Sequence, residues 1–79
     1  MTPNKIVGKI FDDIAYKRRI THRLLASELQ ISEGYLSNII KGKSGVTISN
    51  LQDYCNKLGI SMAYFFNEYQ KIIDNLNNE

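Results

Sequence analysis

Apolar residues in this chain recur every three or four positions in short blocks, four of which open on Thr or Ser, with no strand signal among them. That repeat gives each of several helices one apolar stripe and leaves no half-buried strand, so the chain is read as all-α. From Lys5 to about Arg19 the stripe is Ile6, Val7, Ile10, Phe11 and Ile14, with charges between. Residues 1–4 are read as a flexible arm. Thr21 is placed to cap a second helix with Leu25, Ala26 and Leu29 inward, ending near Gln30. Ser32 caps a third, with Leu36, Ile39 and Ile40 inward and Gly42 where a left-handed residue ends it. After the turn "GKSG", Thr47 caps a fourth helix with Ile48, Leu51, Cys55 and Leu58 inward and Gly59 as terminator. Ser61 starts a fifth, residues 61–76, followed by a polar tail, 77–79.

Seventy-nine residues make one domain whose core has little to spare, so a second subunit would add useful burial. With 43% hydrophobic residues the chain is rich enough to fold rather than stay disordered. No apolar run approaches the roughly 18 residues of a membrane helix, and Asp12 and Asp13 break the only stretch resembling a leader, which points to the cytoplasm and no membrane partner. One cysteine, Cys55, and one histidine, His22, supply neither a disulfide nor a metal set. No paired acid and base, nucleophile with its base, or phosphate loop is present, which argues against an enzyme and against a cofactor. Charge is uneven. Residues 1–43 hold eight Lys/Arg against four Asp/Glu, net +4, and the remainder is net −2. A basic half suits a polyanionic partner.

A short helix, a brief connection and a second short helix, spanning residues 21–41, is the layout of a helix-turn-helix, in which the second helix enters the DNA major groove. At about 100° per residue, Leu36, Ile39 and Ile40 share one face, while Gly34, Asn38 and Lys41 gather opposite with Ser37 beside them. Glu33 and Tyr35 lie on the flanks. Asn38 combines donor and acceptor on a short stem, as bidentate reading of adenine requires. Gly34 permits close approach, Ser37 reaches a base or a phosphate, Lys41 guanine or the sugar-phosphate rail, and Tyr35 suits a phosphate or a thymine methyl. Glu33 is tolerable near DNA only if it accepts from a cytosine or is held by a cation such as Arg23.

"ITHRLLASELQISEGYLSNIIKGK", residues 20–43, resembles the pattern of the Cro-like (xenobiotic-response-element) helix-turn-helix regulators of bacteria and phages. Ile20, Thr21, Leu25, Ala26, Leu29, Ile31, Ser32, Leu36, Ser37, Ile39, Gly42 and Lys43 stand in register with it. "TISNLQDYCNKLGISMAYFF" resembles the last two helices of that family. The resemblance implies a compact five-helix, lambda-repressor-like DNA-binding domain over residues 5–76, here with an extended C-terminal helix. It further implies that Lys43 and Ser44 anchor the DNA backbone through a turn N–H and a cation, and that His22, where the family favours Gln, touches a phosphate. Arg23, Ser32 and Tyr35 complete the expected backbone contacts. Two other departures concern structure. Gln30 replaces a usual Gly, which predicts a slightly altered turn. Ala15 and Ile40 stand where many members pair an Arg with a Glu, and losing both charges together is physically neutral.

One recognition helix reads too few base pairs for selectivity, so the expectation is a homodimeric, sequence-specific transcriptional regulator on a palindromic operator, acting on RNA polymerase by blocking or touching it. The apolar stripe of the fifth helix, Met62, Phe65, Phe66, Tyr69, Ile72, Ile73 and Leu76, is the candidate dimer interface; the same stripe docking on helix 1 within the chain is the rival. Leu24 is a second exposed hydrophobe. With no sensor domain in view, control is expected to rest on the protein's own concentration. Restriction-modification controller proteins and small phage repressors both fit. The alternative from another class is an antitoxin-like module that holds a partner protein through the fifth helix, with DNA binding secondary.

Overall fold

In the computed structural model, which describes residues 1–78, every helix opens on a hydroxyl that accepts a hydrogen bond from the backbone N–H three residues on. Thr2 begins α1 (Pro3–Arg18), Thr21 α2 (His22–Leu29), Ser32 α3 (Glu33–Ile40), Thr47 α4 (Ile48–Leu58) and Ser61 α5 (Met62–Asn77), at 2.9–3.2 Å. Each such cap is worth about 1 kcal/mol, and five of them set the boundaries. No strand forms among the described residues. No helix among them is long and apolar enough to cross a membrane.

α1 starts earlier than its apolar stripe indicates. Pro3 and Asn4, read as part of an arm, are its first turn, because Thr2 caps it and Pro3 supplies a preset φ where its missing N–H is harmless. At the other end α5 runs to Asn77 and Asn78 caps it, while the last residue of the expected tail, Glu79, lies outside the described residues. α1 and α2 both close on left-handed residues that are not glycine, Arg19 (φ 56°) and Gln30 (φ 60°). The turn after α2 therefore keeps the glycine-type backbone despite its Gln, at about 1 kcal/mol of strain. That strain is offset locally. The N–H groups of Ile20 and Ile31 reach back to the Ala15 and Ala26 carbonyls, both at 3.0 Å, and satisfy helix ends that would otherwise be open.

The core gathers where all five helices meet. Phe11 and Phe65 are fully buried with ring centroids 5.4 Å apart, and Tyr54 meets the edge of Phe11 at 6.1 Å. Ile6, Ile10, Ile14 and Ala15 of α1, Leu25, Ala26 and Leu29 of α2, Leu36 and Ile39 of α3, and Leu51, Cys55 and Leu58 of α4 fill the remainder. Burial pushes the Cys55 thiol pKa up, consistent with a packed, unreactive side chain. One expectation on α4 needs correction. Ile48 is 64% exposed: as the first helical residue its side chain leans past the helix start instead of over the core. Tyr54 takes an inward place. Phe65 also leaves the candidate dimer interface, since it is sealed inside the monomer, and Met62, Tyr69, Ile72 and Ile73 pack partly against the same core. The rival docking of α5 on the rest of the chain accounts for that part of the stripe. Phe66 and Leu76 stay 46% and 42% exposed.

One crossing holds α3 in place. Gly8 is buried where α1 passes the last turn of α3, and a Cβ there would overlap the Ile39 carbonyl oxygen and lie 2.6 Å from that of Ile40. Backbone cannot yield as a flexible side chain does. Gly8→Ala should therefore lower stability by about 1–3 kcal/mol despite alanine's better helix propensity, seen as a drop of about 4–8 °C in melting temperature per kcal/mol. A melting temperature within a degree or so of the parent would show that the helices are not this close.

Candidate nucleic-acid interface

The link from α2 to α3 consists of Gln30, Ile31 and Ser32: the left-handed residue ends α2, Ile31 closes its last turn, and Ser32 returns to extended backbone and caps α3. Leu25, Leu29, Leu36 and Ile39 turn the two helices inward together. Cations from elsewhere secure the outer helix. The Lys57 ammonium, paired with Asp53 at 2.9 Å, donates to the Leu29 carbonyl at the end of α2 at 3.3 Å. The Arg18 guanidinium donates to the Leu58 carbonyl at 2.6 Å and lies 4.0 Å from Glu28 of α2. Helix ends carry partial negative charge, so each contact is charge-assisted and favours the observed packing of α2 on α4.

α3 presents Glu33, Gly34, Asn38 and Lys41 to solvent, Ser37 half-exposed beside them, and Ser32 at its start. Among the described residues the side chains of Glu33, Ser37, Asn38 and Lys41 make no hydrogen bond or ion pair. Gly34 faces open space, with no atom within 4 Å of a Cβ placed there. The groups expected to read bases are thus collected on one uncommitted face.

The expected backbone contacts are placed less uniformly. Arg23 and Lys43 are exposed, and Arg23 does not pair with Glu33. His22 is not free. Its Nε2 lies 2.7 Å from Asp12 Oδ1, so one ring nitrogen ties α2 to α1. The Ser32 hydroxyl accepts from the Tyr35 N–H, which leaves its own O–H to donate. Tyr35 is half-buried beside Tyr54, whose phenol pKa is raised by burial first and by the Tyr35 phenol next. After α3 the chain folds back on itself: the N–H groups of Lys43 and Ser44 both donate to the Asn38 carbonyl, at 2.9 and 3.2 Å. Both N–H groups are thus bonded within the chain, so the side chains at those two positions are the groups left open to a phosphate. Gly8, Arg18 and Lys57 were not singled out as positioning residues. The two cations act on carbonyls 40 and 28 residues away, a separation that no local pattern encodes.

No cavity opens among the described residues, and no group of three or more His, Cys, Asp or Glu side chains there is arranged to hold a metal. A face of this kind works by surface contact. A family model for helix-turn-helix domains matches residues 15–65. The chain belongs to the helix-turn-helix family. In its Cro-like form this is a family of DNA-binding regulators of transcription, and the five-helix fold agrees with that membership. The chain is similar to the crystal structure of the clp gene regulator ClgR from Corynebacterium glutamicum, with a TM-score of 0.76 at 25% identity over 99% of this chain and 89% of that one. Comparison with curated proteins gives no match.

Gly34 bears on the family reading through energetics. Glycine inside a helix costs about 0.5–1 kcal/mol relative to alanine, and no close packing within the chain requires it here. Gly34→Ala should leave the fold intact and hold or raise the unfolding free energy by up to that amount, measured by urea titration. A clear loss of stability would mean that the glycine serves the monomer.

Proposed function

We propose that the chain is a sequence-specific double-stranded DNA-binding transcriptional regulator that acts as a homodimer on a palindromic operator and works by excluding or contacting RNA polymerase. One observation carries this reading: within a helix-turn-helix, α3 turns outward a face of small, polar and cationic groups that have no partner among the described residues. Asn38 reads a base bidentately, with Ser37, Lys41 and Glu33 around it, and Gly34 admits close approach of the helix to the base edges. Arg23, Ser32, Lys43, Ser44 and the outer nitrogen of His22 hold the sugar-phosphate rails, and Tyr35 contributes from its half-buried place. The reading makes DNA recognition, not catalysis, the task of this chain.

Pairing rests on α5. Taking Phe65 as zero at about 100° per residue, Tyr69, Ile72 and Leu76 fall within about 40° of it, whereas Phe66 and Ile73 lie about 80–100° to one side. Tyr69 and Ile72 of the first set pack on the monomer core; Phe66 and Leu76 stay exposed and, with the partly buried Ile73, form a flank for a second copy. A two-fold pair would place its α3 helices in half-sites about 34 Å apart.

Asn38→Ala should weaken binding to duplex selected from random sequence by about 1–3 kcal/mol and relax preference at one position in each half-site, with random duplex bound as before. Equal losses on selected and random DNA would remove Asn38 from base reading. For the pairing, sedimentation equilibrium should find the parent dimeric and Phe66→Asp, at an exposed position, monomeric with unchanged helix content. A parent that stays monomeric both free and on a palindromic duplex would contradict the homodimer.

A further inference from the structure

We infer that Lys5, in the first turn of α1, is a ligand for the DNA backbone, placed by α1 at the C-terminal end of α3 beside Lys41 and Lys43. The inference rests on α3 being the groove-facing helix. Its starting point is the first turn of α1, in which Pro3 and Asn4, expected to belong to a loose arm, precede Lys5 as helix. Gly42 has a left-handed backbone (φ 76°), and the place its Cβ would take is filled by Lys5: that atom would overlap the Lys5 Cγ and lie 3.1 Å from its Cα and N. Three residues on, a Cβ on Gly45 would lie 3.1 Å from the Asn4 side-chain oxygen. The first turn of α1 is thus seated on the loop that leaves α3, with the stem of Lys5 against the one residue that separates Lys41 from Lys43.

The result is three exposed lysines at one end of the recognition helix, Lys5 seated on Gly42 between Lys41 and Lys43. Among the described residues none of the three has a carboxylate within ion-pair distance, whereas Lys9, Lys57 and Lys71 do, at 3.7, 2.9 and 3.5 Å. Gathering like charges without counter-charges is unfavourable in the free protein and is relieved by a polyanion laid across them. The loop cannot supply that relief by rearranging, since the N–H groups of Lys43 and Ser44 are bound to the Asn38 carbonyl. A phosphodiester beside Lys43 therefore meets a second cation carried by a different helix, which fixes the angle at which α3 meets the duplex as well as adding attraction.

The test is the salt dependence of binding, measured on random-sequence and on selected duplex. Lys5→Met keeps the methylenes that pack on Gly42 and deletes the charge. It should lower affinity ~5- to 10-fold near 0.1 M salt on both duplexes and flatten the slope of log K against log salt by about one unit, as loss of one phosphate contact does. Lys5→Arg should restore both. An unchanged slope in Lys5→Met, with the parent binding normally, overturns the inference while leaving the reading of α3 standing, even if the unfolding midpoint falls. A parent chain that ignores duplex DNA in dilute salt removes both together.

Discussion

The contact on which the architecture depends is the crossing of α1 over the last turn of α3, where Gly8 lets two backbones approach without an intervening side chain. Helix packing normally proceeds through side chains at 8–10 Å between axes, and a missing Cβ shortens that distance locally. Because the atoms met at Gly8 are carbonyl oxygens of Ile39 and Ile40, the crossing sets where α3 ends. Gly42 repeats the device one turn later, with Lys5 filling the space. A recognition helix of two turns has few contacts of its own, so its orientation is inherited from the sixteen-residue α1 beneath it.

The two halves of the helix-turn-helix are held by different physics. α3 is fixed by close backbone approach and by Leu36 and Ile39, both fully buried. α2 is fixed at its ends: His22 to Asp12 at the start, Lys57 on the Leu29 carbonyl at the finish. Polar ties of this kind are short-ranged, partly exposed and individually modest. Apolar burial sets the stability, and the ties select one docking of α2 among those that the core alone would allow.

Much of this was legible in the residues. The helical period and the Thr or Ser at each start are local signals, so Thr21, Ser32, Thr47 and Ser61 mark their helices directly, and the exposed set Glu33, Gly34, Asn38 and Lys41 follows from angular spacing alone. The pair Thr2–Pro3 carried the same signal for α1 and was missed because the apolar stripe begins only at Ile6. What was not legible depends on which helix lies against which. Phe65 and Phe66 are adjacent and chemically identical, yet one is sealed against Phe11 and the other exposed, a difference decided by where α1 docks. Tyr54, which the apolar stripe of α4 left out, is buried against Phe11 for the same kind of reason. The carbonyls held by Arg18 and Lys57, and the space at Gly8 and Gly42, arise from pairs far apart along the chain.

Whether the outward face of α3 meets DNA is read from an NMR titration of the backbone amides with duplex DNA. The largest shift changes should fall on Ser32 to Asn38 and on Lys41 to Ser44. Changes confined to α4 and α5, with α3 silent through saturation, would contradict it.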